Sequence, residues 1–414
     1  MLERLPKSAS AVLLCAFVLA AASGCASGKL DHARNAFYDG RLARAAEVLE
    51  EPGGIAGRDR LLFFMEKGVV EHHRGEYEAS TRLFRRAVAL IDELSIISAS
   101  RQAGSLVTSE RLTRYRGEYA ERLWVHTYLM MNYLLLGRTE GALVEAKQAL
   151  EVFDAYPQAL KKAFFTRALI AHCFEAAGEA NGAFIEYEKL AKALPDPTPV
   201  ADKLVFLAGR LGFSDAEKKY GKLLTRIRRL EVEAQGAAGP EFLFFVHQGR
   251  APVKIPRNII VPPSIRFSFV TYGKHGRGCP RPAVYGRQGT EPAPLVKTVL
   301  ADALNDSLEE RIARMLAKET ARVAAKEAIA HNIEDEFLAL VVRGVFFVLQ
   351  EPDTRCWQTL PACWGLLRIP LQKSEQTPAL TIAASGIRYD IPGMEPQKRY
   401  TYFVIRQEGR GGAW

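Results

Sequence analysis

From about residue 30 to residue 235, apolar residues recur at spacings of three and four, the period of helices that bury one face. Gly75, Gly137 and Gly178 each separate two amphipathic stretches. Five residues after each stands a small residue: Ser80, Ala142 or Ala183. Nine after stands Phe84, Ala146 or Tyr187, and twelve after stands Ala87, Ala149 or Leu190. This repetition predicts helical hairpins over 61–94, 123–156 and 164–197. A degenerate first unit around Asn35 to Leu49 and a capping pair around 200–230 extend the series, and the stretch from Leu94 to Arg122 reads as an inserted or lengthened helix. Such a hairpin cannot bury its apolar stripe alone, so hairpins stack and share a core, with small residues where two backbones approach.

The period changes after the small-residue run Ala234 to Pro240. Phe242 to His247, Ile259 to Val261 and Ile265 to Tyr272 read as strands, the last two split by Pro262-Pro263. Residues 273–294 read as a long Gly-, Pro- and Arg-rich loop, Leu295 to about Ile329 as a strong helix, and Phe337 to Leu349 as a buried helix too short to span a bilayer. Leu366 to Leu371, Ala379 to Ala383, Tyr389 to Ile391 and Tyr400 to Ile405 read as short strands. The expected architecture is a helical hairpin array over 61–235, preceded by a degenerate hairpin within 25–60. An α+β domain over 240–414 follows, containing a small β-sandwich or sheet.

The hairpin spacing resembles the tetratricopeptide repeat. The N-terminus resembles a lipoprotein signal. Arg4 and Lys7 precede a small-residue apolar run over Ala9 to Ala22, which ends in Ala22-Ser23-Gly24-Cys25. That ending is similar to a lipobox, with Ala where Leu is commoner. It implies removal of residues 1–24 and a diacylglycerol on Cys25, an anchor strengthened by about 0.8 kcal/mol per buried methylene. Ala26 is not Asp, the usual inner-membrane retention signal, so the expected location is the outer membrane, facing the periplasm.

Three patches extend the resemblance to an uncharacterised family of bacterial tetratricopeptide lipoproteins. They are Arg74 to Ser80 with Phe84, Asn132 to Gly137 with Gly141-Ala142, and Asp353-Thr354-Arg355-Cys356-Trp357-Gln358-Thr359-Leu360-Pro361. The chain departs from that pattern near Gln372 to Pro378. The resemblance implies architecture and no activity.

Composition narrows the partners. With 48% hydrophobic and 25% charged residues, the 414-residue chain can build an ordinary core. The net charge of +9 suits a solvated basic surface, or weak affinity for anionic lipid or polysaccharide. No basic-aromatic nucleic-acid motif is present, so nucleic acid is not expected as a ligand. An oxidising compartment makes Cys279, Cys356 and Cys363 disulfide candidates. A Cys356–Cys363 bridge would close a small loop, and Cys279 with either is open; Cys173 reads as a small core residue. No CxxC pair points to zinc, and no metal or cofactor is expected.

Catalytic motifs are missing: there is no GxSxG, HExxH, P-loop or GxGxxG. The adjacent His72 and His73 read as a solvated pair. His172 and Glu175, three apart on one helix face, could form an acid–base pair for a hydrolase. Glu334, Asp335 and Glu336 read as a solvated acidic face or a cation site. Asp353, Arg355 and Trp357 could recognise a ligand through an Arg fork and an aromatic platform, or could cap, pair and pack. The expected function is therefore non-enzymatic: a periplasm-facing scaffold in envelope assembly, secretion or export. Its partner, a protein or peptide, would lie in the concave groove lined by Leu62, Met65, Val69, Trp124, Thr127, Met131, Phe165, Ala168 and His172. The same positions could instead be core contacts to the rest of the chain. A glycan- or peptidoglycan-binding module using Lys274, Arg277, Arg281 and Arg287 is the alternative.

Overall fold

The computed structural model describes residues 28–100 (51 and 54 apart), 114–224, 240–261, 265–273, 283–286, 289–291, 295–310, 352–370, 380–384, 387–391 and 399–407. The signal segment, Cys25, residues 311–351 and the basic positions Lys274, Arg277, Arg281 and Arg287 lie outside them. So do the expected buried helix Phe337 to Leu349 and the acidic cluster at 334–336.

Among the described residues five helical hairpins succeed one another. They pair α1 (Gly28–Tyr38) with α2 (Leu42–Val48), α3 (Arg60–His73) with α4 (Tyr77–Ser100), α5 (Tyr119–Leu135) with α6 (Thr139–Ala155), α7 (Phe164–Ala176) with α8 (Ala180–Ala193), and α9 (Thr198–Leu211) with α10 (Ser214–Gly221). Each turn is closed the same way. Gly40, Gly75, Gly137, Gly178 and Gly212 all have φ between 71° and 82°. In every case the following residue donates its N–H to the carbonyl five positions back, as in Arg41 to Ala36, Glu76 to Glu71 and Arg138 to Tyr133. This Schellman closure needs a left-handed residue, which glycine adopts without a Cβ clash.

The three hairpins expected over 61–94, 123–156 and 164–197 are all present, as are the degenerate first unit and the capping pair. Ser80, Ala142 and Ala183 are buried where the two helices of a hairpin meet, and Phe84, Ala146, Tyr187, Ala87, Ala149 and Leu190 are buried beside them. In the second hairpin α3 passes so close that a Cβ on Gly68 would sit 2.7 Å from the Phe84 ring. The expected insertion begins as a continuation of α4 to Ser100.

Among the described residues beyond 240 lie ten strands: β1 (Glu241–Gln248), β2 (Lys254–Val261), β3 (Ile265–Tyr272), β4 (Ala283–Gly286), β5 (Gly289–Glu291), β6 (Leu295–Val299), β7 (Cys363–Pro370), β8 (Leu380–Ala384), β9 (Ile387–Ile391) and β10 (Tyr400–Gln407). The principal sheet has the order β10-β1-β7-β6. β2 pairs with β3, and the remaining four form a sheet in the order β5-β4-β8-β9. β1 lies parallel to β10 and antiparallel to β7, with His247 opposite Trp364 and Leu243 opposite Arg368. All of β1 is buried, which explains its nearly unbroken apolar sequence: a central strand covered on both faces has no solvent side to mark with polar residues.

Two expectations are corrected here. The helix expected from Leu295 starts at residue 300, because Leu295 to Val299 pair with β7 as an edge strand. The alternation of β-branched Val296, Thr298 and Val299 suits that pleat. The loop expected over 273–294 contains β4 and β5. Among the described residues no helix is long and apolar enough to cross a membrane.

Two glycine substitutions separate the constraints of the array. Gly68→Ala should destabilise by about 1–3 kcal/mol through overpacking against Phe84. Gly75→Ala has open space around it and should lose about 1 kcal/mol from its positive φ alone. Denaturant midpoints of the two variants check the order.

Candidate functional site

The concave side of the array is the site that the repeats create, and the chain fills it with its own C-terminal half. Leu62, Met65, Val69, Trp124, Thr127, Met131, Phe165, Ala168 and His172 line this side, and every one of them is buried. All but the polar Thr127 and His172 belong to one continuous core with Leu243 and Phe245 of β1, Val296 of β6, and Trp364 and Leu366 of β7. The Trp364 ring is central: its centroid lies 5.5 Å from Trp124, 5.5 Å from Tyr128 and 5.4 Å from Phe165. The expectation of an open groove for a partner at these positions is therefore corrected. The apolar face of the sheet needs cover, and the concave face supplies it within the same chain.

The segment 353–360 enters the groove ahead of β7. Its backbone is held by side chains of the array: the N–H groups of Gln358 and Thr359 donate to the Glu66 carboxylate at 3.0 and 3.1 Å. The N–H of Trp357 donates to Glu121 at 2.8 Å, and the Tyr38 hydroxyl donates to the carbonyls of Gln358 and Leu360. The Trp357 ring packs 5.9 Å from Phe84 and 5.6 Å from Tyr128. Arg355 forks onto Asp353 and reaches Asp59 at 2.8 Å. Asp353, Arg355 and Trp357 thus have the structural role of their two readings: they fasten the segment to the array.

Buried charge is arranged around the same seam. On α3, Glu66 pairs with Arg34 of α1 at 2.8 Å, and burial is opposed by that carboxylate in keeping Arg34 charged. On α5, Glu121 accepts from Tyr115 and from the Glu118 N–H, and Glu118 binds Lys254 of β2 at 2.6 Å. Burial raises the Glu121 carboxyl, and Lys254 opposes that rise. On α7, Glu175 meets Lys203 at 2.8 Å, the hydroxyls of Tyr187 and Tyr400, and Arg368 of β7 at 3.6 Å. Burial alone would raise the Glu175 carboxyl, yet Arg368 and the groups around it hold it below the ordinary carboxylate range. Arg368 and Lys203 also bind Glu241 of β1.

His172 and Glu175 do come together, 3.8 Å apart, which is beyond hydrogen-bond length. His172 instead shares a 3.0 Å hydrogen bond with Tyr402 of β10. Both residues are sealed between array and sheet, so this pair reads as part of the seam. The solvated pair expected at His72 and His73 is corrected too: His72 is buried and His73 half-buried, packed against Phe37, Tyr128 and His247. Neighbouring apolar residues on α3 carry them inward. The expected Cys356–Cys363 bridge is absent, since Cys356 is a buried free thiol pushed up to about 11 by burial. Cys363 is disulfide-bonded to a residue outside those described. Cys173 is a buried free thiol, as expected of a small core residue.

Glu66, Glu121, Tyr38, Trp364 and His247 were not singled out by pattern or motif. Glu66 and Glu121 did carry a signal. Each sits three or four residues from apolar positions on the buried face of its helix, where an acidic residue requires a partner.

No family model matches this chain, and no curated protein matches it. Among solved structures, MamA is 12% identical, with a TM-score of 0.34, covering 50% of this chain and 91% of that one. RapI in its apo form is 11% identical with a TM-score of 0.37, covering 47% and 51%. A Podosopora anserina protein with nearly identical TPR-like repeats is 16% identical with a TM-score of 0.34, covering 50% and 95%.

Glu66→Leu should destabilise the whole chain by roughly 3–5 kcal/mol, because it leaves the buried Arg34 with only the exposed Asp31 carboxylate and strands two backbone N–H groups. Glu66→Gln, which keeps an acceptor, should lose less. Equilibrium unfolding followed at the tryptophans measures both.

Proposed function

We propose that this chain is a non-catalytic protein-binding scaffold, anchored by lipid on Cys25 at the outer membrane and facing the periplasm. One observation carries the scaffold reading: stacked helical hairpins hold a non-helical stretch of polypeptide, residues 353–360, through backbone groups as well as side chains. Three acceptor contacts to N–H groups and a tyrosine donating to carbonyls are how a groove recognises chain rather than a particular side chain. The lipobox-like ending at Cys25 supports the anchor, and the oxidised state of Cys363 agrees with an oxidising compartment.

With the concave side taken in cis, a partner must meet the second helices of the hairpins. There Val144 on α6 and Ile185 on α8 are 58% and 43% exposed. They occupy corresponding positions, each seven residues after its turn glycine. Apolar side chains repeated in register on an outer face suit the apolar centre of an interface with a folded protein.

Crosslinking in intact cells tests the scaffold. Wild type should capture a specific protein that a Val144→Glu/Ile185→Glu variant loses at unchanged circular dichroism. Capture that is unaffected by the variant would remove the outer face, and no capture in either would remove the scaffold reading. Separately, Cys25→Ala should release the protein from membranes or leave an uncleaved precursor. Fractionation of a processed variant with the membranes, as for wild type, would end the lipid-anchor reading.

A further inference from the structure

Three imidazoles, those of His72 and His247 buried and that of His73 half-buried, meet where the second hairpin touches the sheet. His72 and His73 end α3, and His247 lies near the end of β1. The His72 and His247 rings stack at 5.6 Å, only 15° from parallel. His73 Nε2 lies 3.2 Å from His247 Nδ1, a distance at which one nitrogen must be bare to accept. His72 Nδ1 is bonded to Asn132 Oδ1 at 2.6 Å, the end of a chain in which Asn132 donates to Ser80 and Ser80 to the Gly68 carbonyl. Nε2 of both His72 and His247 is buried without a hydrogen-bond partner. Among the described residues no group of three such side chains is placed to hold a metal ion.

Among the described residues around the triad no carboxylate is free to stabilise positive charge, and the Asn132 amide oxygen on His72 is the acceptor that opposes burial. From α1 comes the Phe37 ring, from α4 the Tyr77 ring, from α5 Tyr128 and Asn132, and from β7 the Trp364 ring. From β10 comes a cation, Arg406, whose guanidinium lies 3.7 Å over Phe37 and donates to the Phe37 carbonyl. The nearby acids on α3 are engaged elsewhere, Glu66 with Arg34 and Glu71 with Arg74.

We propose that this triad is an acid-sensitive latch: His72, His73 and His247 hold the sheet in the groove while neutral, and their protonation uncouples sheet from array. Two stacked imidazolium rings beside Arg406 would repel across the α3–β1 seam, and the His73–His247 hydrogen bond would lose its acceptor. The electrostatics agree in direction. Burial pushes His72 down to about 4, and burial followed by the neighbouring rings and Arg406 pushes His73 and His247 well below their ordinary value. A histidine depressed in the folded state stabilises fully above its unfolded value near 6.5, and that stability is lost as pH falls toward the folded value. For His72 alone the window from 6.5 to about 4 corresponds to roughly 300-fold in the folded ratio. Opening would bare the concave face that the sheet now covers. This inference concerns the chain alone and stands apart from the scaffold reading.

Three of the chain's four tryptophans, Trp124, Trp357 and Trp364, sit in the seam and report on it. Titrated from pH 8 to pH 4, full-length protein should show a red shift of tryptophan emission below pH 6.5 while its far-ultraviolet helical signal persists. His247→Phe, which keeps a ring in the stack but cannot titrate, should move the midpoint down by about half a pH unit or more. His73→Asn serves the same purpose should the first variant not fold. Variants that keep the wild-type midpoint would overturn the latch and assign the transition to the carboxylates of the seam. So would histidine proton resonances of the wild type titrating near 6.5 with unchanged tryptophan emission.

Discussion

Three acidic side chains buried on the concave face set the terms for this structure. Glu66, Glu121 and Glu175 stand on the first helices of three consecutive hairpins. Each takes contacts from the C-terminal half: the Gln358 and Thr359 amides, the Trp357 amide, and Arg368 with Tyr400. A hydrogen bond to a charged group is worth about 1.5–3 kcal/mol, but an unpartnered buried carboxylate costs several times that. The array and the sheet therefore depend on each other. Without the sheet and its leading segment, the groove would expose Trp124, Phe165 and Met131 beside carboxylates that had lost part of their compensation. Without the array, one face of β1 and β7 would stand uncovered.

The local contacts sharpen that dependence. The first turn of α7 has its Phe165 N–H bonded by the Thr298 hydroxyl of β6 at 2.7 Å, so a strand of the sheet caps a helix of the array. Lys162 and the Ala159 amide bind Asp306 and Glu310 just beyond β6. These bonds orient the sheet at one end of the groove, while Arg355 on Asp59 orients its leading segment at the other. Between them lies a layer of aromatic rings that takes in the histidine triad and, against Tyr400 and Tyr402, His172. Stability of the seam and its response to acid thus arise from the same residues.

The three central hairpins were legible in the sequence because each repeats one solution: turn glycine, small residue five later, apolar or aromatic residue nine later. Helix period, closure and packing all agree there. The strands were legible where one apolar run marks a buried strand, as at Phe242 to His247, and less so at Leu295 to Val299. There a short β-branched stretch runs directly into an alanine-rich helix, and propensity summed over a window hides the join. The groove was legible as a set of residues but not as a filled site. Leu62, Trp124 and Phe165 look alike whether they meet a partner or the chain's own sheet, since both demand an apolar surface. The distinguishing residue was Glu66, whose charge on a buried face calls for partners that come from distant parts of the chain, whereas Glu121 takes one backbone donor locally from Glu118 and one from Trp357. His72 and His73 misled for the opposite reason: polar type suggested solvent, while tertiary packing buried His72 and half-buried His73.

Occupation of the groove by residues 353–360 is the point on which the fold and its function turn, and amide hydrogen exchange measures it directly. At neutral pH the amides of Trp357, Gln358 and Thr359 should exchange as slowly as those of the central strand β1, since their hydrogens are spent on Glu121 and Glu66 in a sealed seam. Exchange of these three amides at the rate of an open loop, with β1 protected, would contradict a self-filled groove and return the concave face to an outside partner.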